Sequence, residues 1–224
     1  MSHPFILDSR DSPLNLEEQI NQSSGMASNP PLPIPESVNL VLQQAKAQNQ
    51  RLVLLTCGIS GSGKSSLALS IVEQYPNFVR LSIDKYIFEN HGVFGRDYTE
   101  DGYEGLQGEA HERLERELGT LIAGEKGVGG GERDVVVDLS FWRKEERRWW
   151  RERVRELGKG KYGVVLVVFR GGEEVLWERI GRREERWKEE GLGEGRPVGR
   201  ELLGQFVRGF EWPDGEGEIV VDVV

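Results

Sequence analysis

The sequence predicts an α/β fold of three layers, a mainly parallel sheet covered by helices on both faces. Three observations lead there. LVLLTC (52–57) and GVVLVVF (163–169) are continuous apolar runs suited to strands buried on both faces, and DVVVDLS (134–140) carries a shorter run of the same kind. Between the runs, apolar residues recur at helical spacing, as in Leu106, Ala110, Leu114, Leu118 and Ile122. Strand and helix alternate along the whole chain, the order that gives a parallel sheet.

In chain order, residues 1–35 are polar and proline-dotted and end in NPPLPIPES, a composition that buries too little surface to offset ordering, so a flexible tail is expected. The folded domain is expected over 36–224. Val38, Val41, Leu42 and Ala45 mark a first helix starting at Glu36 or Ser37. LVLLTC is the first strand, KSSLALSIVEQY (64–75) the next helix and FVRLSI (78–83) the second strand. The Leu106–Ile122 stripe gives one long helix, which the glycine-rich EKGVGGGER (125–133) breaks. DVVVDLS is the third strand, RKEERRWWRERVREL (143–157) a helix, GVVLVVF a strand, EEVLWERI the start of a helix and EIVVDVV (218–224) a closing strand. Trp150, Val154 and Leu157 share a helical face and read as packing anchors.

With 224 residues, 37% of them hydrophobic, the chain has material for one cored domain plus a tail. It holds no apolar span of roughly 20 residues, and MSHPFILDSR lacks the layout of a signal peptide, so the expectation is a cytoplasmic protein without membrane contact. The single cysteine, Cys57, forms no internal disulfide and lies within an apolar run. One cysteine and three histidines assemble no zinc cluster, which leaves an oxygen-ligated ion as the expected metal. The net charge of −9 argues against sequence-blind binding to long nucleic acid. From Arg143 to Gly209, however, 18 Lys/Arg face 13 Asp/Glu, either a local surface for a phosphorylated ligand or a solvated helix face.

The chemistry concentrates in GISGSGKSS (58–66), which satisfies G-x-x-x-x-G-K-[ST] between a predicted strand and a predicted helix. Gly58, Ser60, Gly61, Ser62, Gly63, Lys64, Ser65 and Ser66 form a loop whose amides, with those of the helix N-terminus, cradle nucleotide phosphates. Lys64 reaches the β/γ-phosphates, and the Ser65 hydroxyl is offered to Mg²⁺. An N-K-x-D base reader is absent, which disfavours a guanine-nucleotide switch. Asp84 ends the second strand in RLSIDKYIF, where it serves either as the base for an attacking hydroxyl or as a turn or capping residue. Arg80 and Lys85 flank it and could hold an acceptor's negative charge. Asp138 ends the third strand, as a second metal or acceptor residue or a turn residue. In WERIGRREERW, Arg179, Arg183 and Arg186 fall on one helical stripe, with Arg182 beside it; one or more of Arg179, Arg182 and Arg183 could neutralise the transferring group or instead pair with Glu178, Glu184 and Glu185.

GISGSGKSS, RLSIDKYIFENHG, VVVDLSFWRKEERRWWRERVRELG, VVLVVFRGGEEVLWERIGRREER and the ending FEWPDGEGE together resemble the zeta-toxin and polynucleotide-kinase-like phosphate-loop kinases, small ATP-binding proteins of AAA-domain type. The resemblance covers roughly residues 51–217. It implies a P-loop NTPase fold, ATP with Mg²⁺ as donor, Asp84 as base, Lys64 and Ser65 on phosphates and metal, and an arginine of WERIGRREER on the donor. A small-molecule hydroxyl is the expected acceptor, because Tyr86 and Ile87 follow Lys85 where polynucleotide kinases carry a basic residue. A 5′-hydroxyl kinase acting on nucleic-acid ends, and an ATP-binding regulatory protein with little turnover, are the alternatives.

Overall fold

The computed structural model describes residues 33–124, 132–191 and 193–224. The tail expected at 1–35 therefore lies outside the described residues except for its last three, as does most of the glycine-rich break. The elements are α1 (Glu36–Ala47), β1 (Arg51–Cys57), α2 (Lys64–Gln74), β2 (Phe78–Ser82), α3 (Ile83–His91), α4 (Glu100–Ala123), β3 (Asp134–Asp138), α5 (Lys144–Leu157), β4 (Tyr162–Gly171), α6 (Glu173–Glu190), α7 (Arg200–Gly209) and β5 (Ile219–Val223).

All five strands are parallel, in the order β2-β3-β1-β4-β5. β1 is the centre, with Leu54 opposite Val136 on one side and Val165 on the other. Because successive side chains alternate across a strand, β1 supplies both layers. Val53 and Leu55 join Leu118 of α4, Trp150 of α5, Ile180 of α6 and Leu203 of α7 on one face. Leu52 and Leu54 join Val38 and Leu42 of α1 with Leu67 and Ile71 of α2 on the other. The three-layer α/β architecture is thus the one the alternation predicts. From β1 the chain runs to the β2 edge, returns through β3 and then crosses to β4. That reversal opens a crevice at the carboxyl ends of β1 and β3.

One difference from the sequence expectation, and the full extent of one helix, matter for the site. The second strand stops at Ser82 rather than Ile83. Ser82 Oγ accepts a hydrogen bond from the Lys85 amide at 3.3 Å and caps α3, so Asp84 lies in the first turn of a helix rather than at a strand tip. In addition, α6 runs unbroken through Gly181 to Glu190, which keeps its arginines in one helical phase.

Trp150 is fully buried and stands edge-on to Phe141, with ring centroids 6.0 Å apart. Its neighbour Trp149 is 39% exposed. Arg147, also fully buried, donates to the Phe141 carbonyl at 2.9 Å and pairs with Glu216 at 2.7 Å, tying the approach to β5 back onto α5. Cys57 is buried as expected, and desolvation pushes its thiol up to about 12, so it stays protonated. No helix among the described residues is long and apolar enough to cross a membrane.

Truncation of Trp150 to alanine opens a cavity in the larger face and is expected to cost about 3–5 kcal/mol, read as a lowered urea midpoint. The same change at Trp149 is expected to cost less than about 1 kcal/mol.

Candidate active site

The loop between β1 and α2 has the geometry of an anion cradle. Gly58 N donates to the Ser140 carbonyl at 3.0 Å, fixing the loop beside the β3 end. Gly63 begins α2 at φ +103, a conformation open to glycine, and no side chain caps the helix. The first amides of a helix have no partner within it, so those of α2 face the loop as free donors. Ser62 Oγ, likewise, is buried without a hydrogen-bond partner. Lys64 Nζ folds back onto the Ile59 carbonyl at 3.1 Å. Burial pulls its pKa down, while the charges of Asp138 and Asp84 act in the opposite direction. Ser65 is exposed and Ser66 half-buried at the same helix end.

Asp84, from the first turn of α3, and Asp138, from the end of β3, both act on the charge of this lysine. Asp138 is buried at the end of β3, opposite Thr56 of β1 and Ser82 of β2. Its Oδ1 accepts from Thr56 Oγ1 at 3.4 Å, and its Oδ2 accepts from Arg80 Nε at 2.9 Å. Asp84 is exposed to solvent, with the backbone at Gly195 close against its carboxyl group. Desolvation first, then the Asp138 and Glu194 charges, raise its pKa, while Lys64 and Arg183 oppose the rise. Burial first and then the Asp84 charge raise the pKa of Tyr103, which keeps its hydroxyl protonated. Lys85 turns to Glu89, 3.6 Å away, on the exposed side of α3.

The arginines of α6 divide by helical phase. An Arg179 nitrogen lies 3.3 Å from where a Cβ on Gly63 would stand, against the start of α2. Arg183 Nη1 donates to Ser60 Oγ at 3.4 Å, and its guanidinium lies 4.4 Å over the Trp187 ring. Its Nε and Nη2 are buried without partners, and burial lowers its pKa. Arg182 is exposed and pairs with Glu178 at 3.2 Å, off the loop side. Arg186 is exposed as well.

The donor set fits a polyanion: free helix amides, an unpartnered serine hydroxyl, a lysine and two guanidinium groups converge on the loop. Among the described residues no group of three or more His, Cys, Asp and Glu could hold a metal ion. A Mg²⁺ here would therefore be bound chiefly through phosphate oxygens, with Ser65 and, through water, Asp138 as protein contacts.

Residues 53–211 match the family described as AAA domain. The chain belongs to this AAA domain family. It is 29% identical over 129 residues to NEDD4-binding protein 2 of Homo sapiens, an alignment that takes in 54% of this chain and only 7% of that protein. Among solved structures, a candidate kinase from Chloroflexus aurantiacus superposes with a TM-score of 0.54 at 16% identity, covering 77% of this chain and 85% of that one. A chain of the Pnkp1/Rnl/Hen1 RNA repair complex gives 0.53 at 17% identity, over 71% of this chain and 44% of that one. The AAA-domain chain thus has the P-loop, kinase-like α/β fold.

Three contributors to the site carry no signal in the sequence: Tyr103, Glu194 and Arg196. Glu194 reaches Arg80 at 2.9 Å from the connection between α6 and α7, and Arg196 of the same connection pairs with Glu100. Only the flanking glycines, Gly193 and Gly195, mark that connection as unusual.

Lys64→Ala is expected to abolish tight ATP binding, measured by calorimetry. Arg179→Ala and Arg183→Ala should each weaken it, whereas Arg182→Ala should leave affinity within about twofold, because exposed i,i+4 pairs contribute little.

Proposed function

We propose that residues 36–224 form an ATP-dependent kinase that transfers the γ-phosphoryl group to a hydroxyl of a small molecule, with 1–35 as a tail outside the catalytic domain. The observation that carries this reading is the placement of a solvent-exposed carboxylate, Asp84 in the first turn of α3, within the field of the phosphate-loop lysine. A cradle alone captures nucleotide. A carboxylate beside it, open to the crevice, gives an acceptor hydroxyl somewhere to leave its proton.

In this reading the loop amides, Ser60, Ser62, Ser66 and Lys64 hold the triphosphate of ATP. Ser65 and, through water, Asp138 would hold Mg²⁺, which would offset the charge of the phosphates. The donor's nucleoside end takes the open cavity of about 500 Å³ lined by Arg170, Trp212 and Asp222 at the carboxyl ends of β4 and β5, on the same sheet edge as the loop. The acceptor O–H gives its proton to Asp84 as its oxygen bonds to the γ-phosphorus. The bond from that phosphorus to the β,γ-bridging oxygen breaks, and its electron pair leaves with ADP. Arg179 and Arg183 neutralise the charge that builds on the transferring group; the unpartnered nitrogens of Arg183 are donors ready for it.

Labelled ATP offered with a panel of small hydroxyl compounds and 5′-hydroxyl oligonucleotides tests the reading. Transfer to oligonucleotides alone would make this a kinase of nucleic-acid ends, and ATP binding with transfer to neither would leave a nucleotide-binding protein. Asp84→Asn is expected to keep ATP binding and cut transfer roughly 10²-fold or more. Because Asp84 must be ionised to act and its pKa is raised, the acid limb of kcat/KM should lie above the ordinary carboxylate range and vanish in that variant. A group whose folded-state pKa is raised stabilises the fold most when protonated, so Asp84→Asn should not lower Tm at neutral pH. Full transfer by this variant would remove Asp84 from the mechanism.

A further inference from the structure

Arg80 of β2 holds two carboxylates at once. Asp138 Oδ2 lies 2.9 Å from Nε and 2.8 Å from Nη2. Glu194 approaches Nη2 at 2.9 Å and Nη1 at 3.4 Å. The first pairing is what a buried guanidinium requires: the Arg80 and Asp138 side chains are 5% and 2% exposed, and neither charge could be left alone there. The second is of another kind. The Glu194 side chain is 36% exposed, stands on the connection between α6 and α7, and brings a negative charge to a crevice that already holds Asp138 and Asp84. Once Asp138 has neutralised Arg80, a further carboxylate gains a hydrogen-bonded partner but faces two like charges.

The same connection lies against the proposed base. A Cβ on Gly195, whose φ is +87, would stand 3.1 Å from the Asp84 carboxyl carbon. Arg196 follows, its guanidinium 5.4 Å over the Tyr103 ring, and Val198 N donates to Glu184 of α6 at 2.9 Å. One short segment therefore sets an anion on Arg80 and a side-chain-free backbone beside Asp84. This is the ground an acceptor must share if its hydroxyl is to reach that carboxylate.

We propose that Glu194 occupies the position of an anionic group, a phosphate or a carboxylate, that the acceptor carries near its reacting hydroxyl, and that Arg80 exchanges Glu194 for that group when the acceptor binds. The proposal rests on the kinase reading and narrows its substrate class to anionic hydroxyl compounds. Asp138 stays with Arg80 throughout, so the guanidinium is never left buried and unpaired. Gly193 and Gly195 give the Glu194 backbone the freedom to withdraw. Lys85 is turned to Glu89, away from this exchange.

The test is titration of inorganic phosphate, and separately of acetate, into the full chain saturated with Mg·AMP-PNP so that the loop is filled. Glu194→Gln keeps the size of the side chain and removes the competing charge. Removing an internal competitor raises the fraction of binding-competent protein, and phosphate affinity is expected to rise by about tenfold or more. Acetate should gain in parallel if a carboxylate is also accepted; a gain for phosphate alone assigns the group as phosphate. Glu189→Gln, on the exposed end of α6, changes net charge equally and should leave the affinity unchanged. Equal affinity in wild type and Glu194→Gln, or an equal gain in Glu189→Gln, overturns the exchange while AMP-PNP binding leaves the kinase reading in place. Failure of AMP-PNP to bind overturns both.

Discussion

A helix that begins without a cap leaves donors that something must satisfy. At α2 the chain places glycine where serine, threonine or aspartate would ordinarily bond back to the first amides, and it buries Ser62 with its hydroxyl unpaired beside them. That arrangement is unfavourable in isolation and favourable only toward an anion. The rest of the fold keeps it in place. β1, buried along nearly all its length at the centre of the sheet, delivers the loop, the Gly58 amide anchors it to the β3 side, and α6 presses on it from the other.

The carboxylates near that loop are held by an interaction spanning three strands. Thr56 from β1, Arg80 from β2 and Asp138 from β3 meet in one buried hydrogen-bonded group at the carboxyl edge of the sheet. Such a group adds little net stability, because desolvation of the charges offsets much of their attraction. What it provides is position: a parallel register shifted by one residue would leave Arg80 and Asp138 buried apart. The strand order therefore has a chemical consequence. It sets the end of β2, and hence Asp84 in the first turn of α3, within the field of Lys64.

The phosphate loop was legible in the sequence because every part of it is local, lying within nine consecutive residues between a strand and a helix. The strands were legible for the same reason, since their apolar runs need no distant partner to be recognised. Asp84 reads from the sequence as the tip of a strand, whereas it lies in the first turn of α3. Ile83 continues an apolar run, and only the Ser82 cap, a hydrogen bond three residues long, turns the chain into a helix one residue sooner. The division among the α6 arginines was partly legible from helical phase, which set Arg179 and Arg183 together and Arg182 apart; the choice between loop and solvent needed the packing of Leu176 and Ile180 against Gly61. Tyr103 and Glu194 gave no signal at all. Their roles depend on contacts to residues 19 and 114 positions away, and no spacing rule encodes such a meeting.

This split between what was local and what was distant follows the division of labour in the site. The donor half rests on a contiguous motif that many phosphate-binding proteins share, which is why family membership speaks to it. The acceptor half of the proposed kinase would be assembled from the first turn of α3, the start of α4 and the connection between α6 and α7, segments outside the sheet that can vary while the strands stay fixed. In the proposed reading, substrate choice therefore turns on Arg80, Asp84, Tyr103 and Glu194 taken together rather than on GISGSGKSS. In the proposed exchange Arg80 belongs to both halves, fixed to the sheet through Asp138 and released from Glu194 when the acceptor binds. A guanidinium with one permanent and one replaceable partner is how a rigid sheet edge can read a variable ligand without leaving a buried charge exposed to the crevice when that ligand is gone.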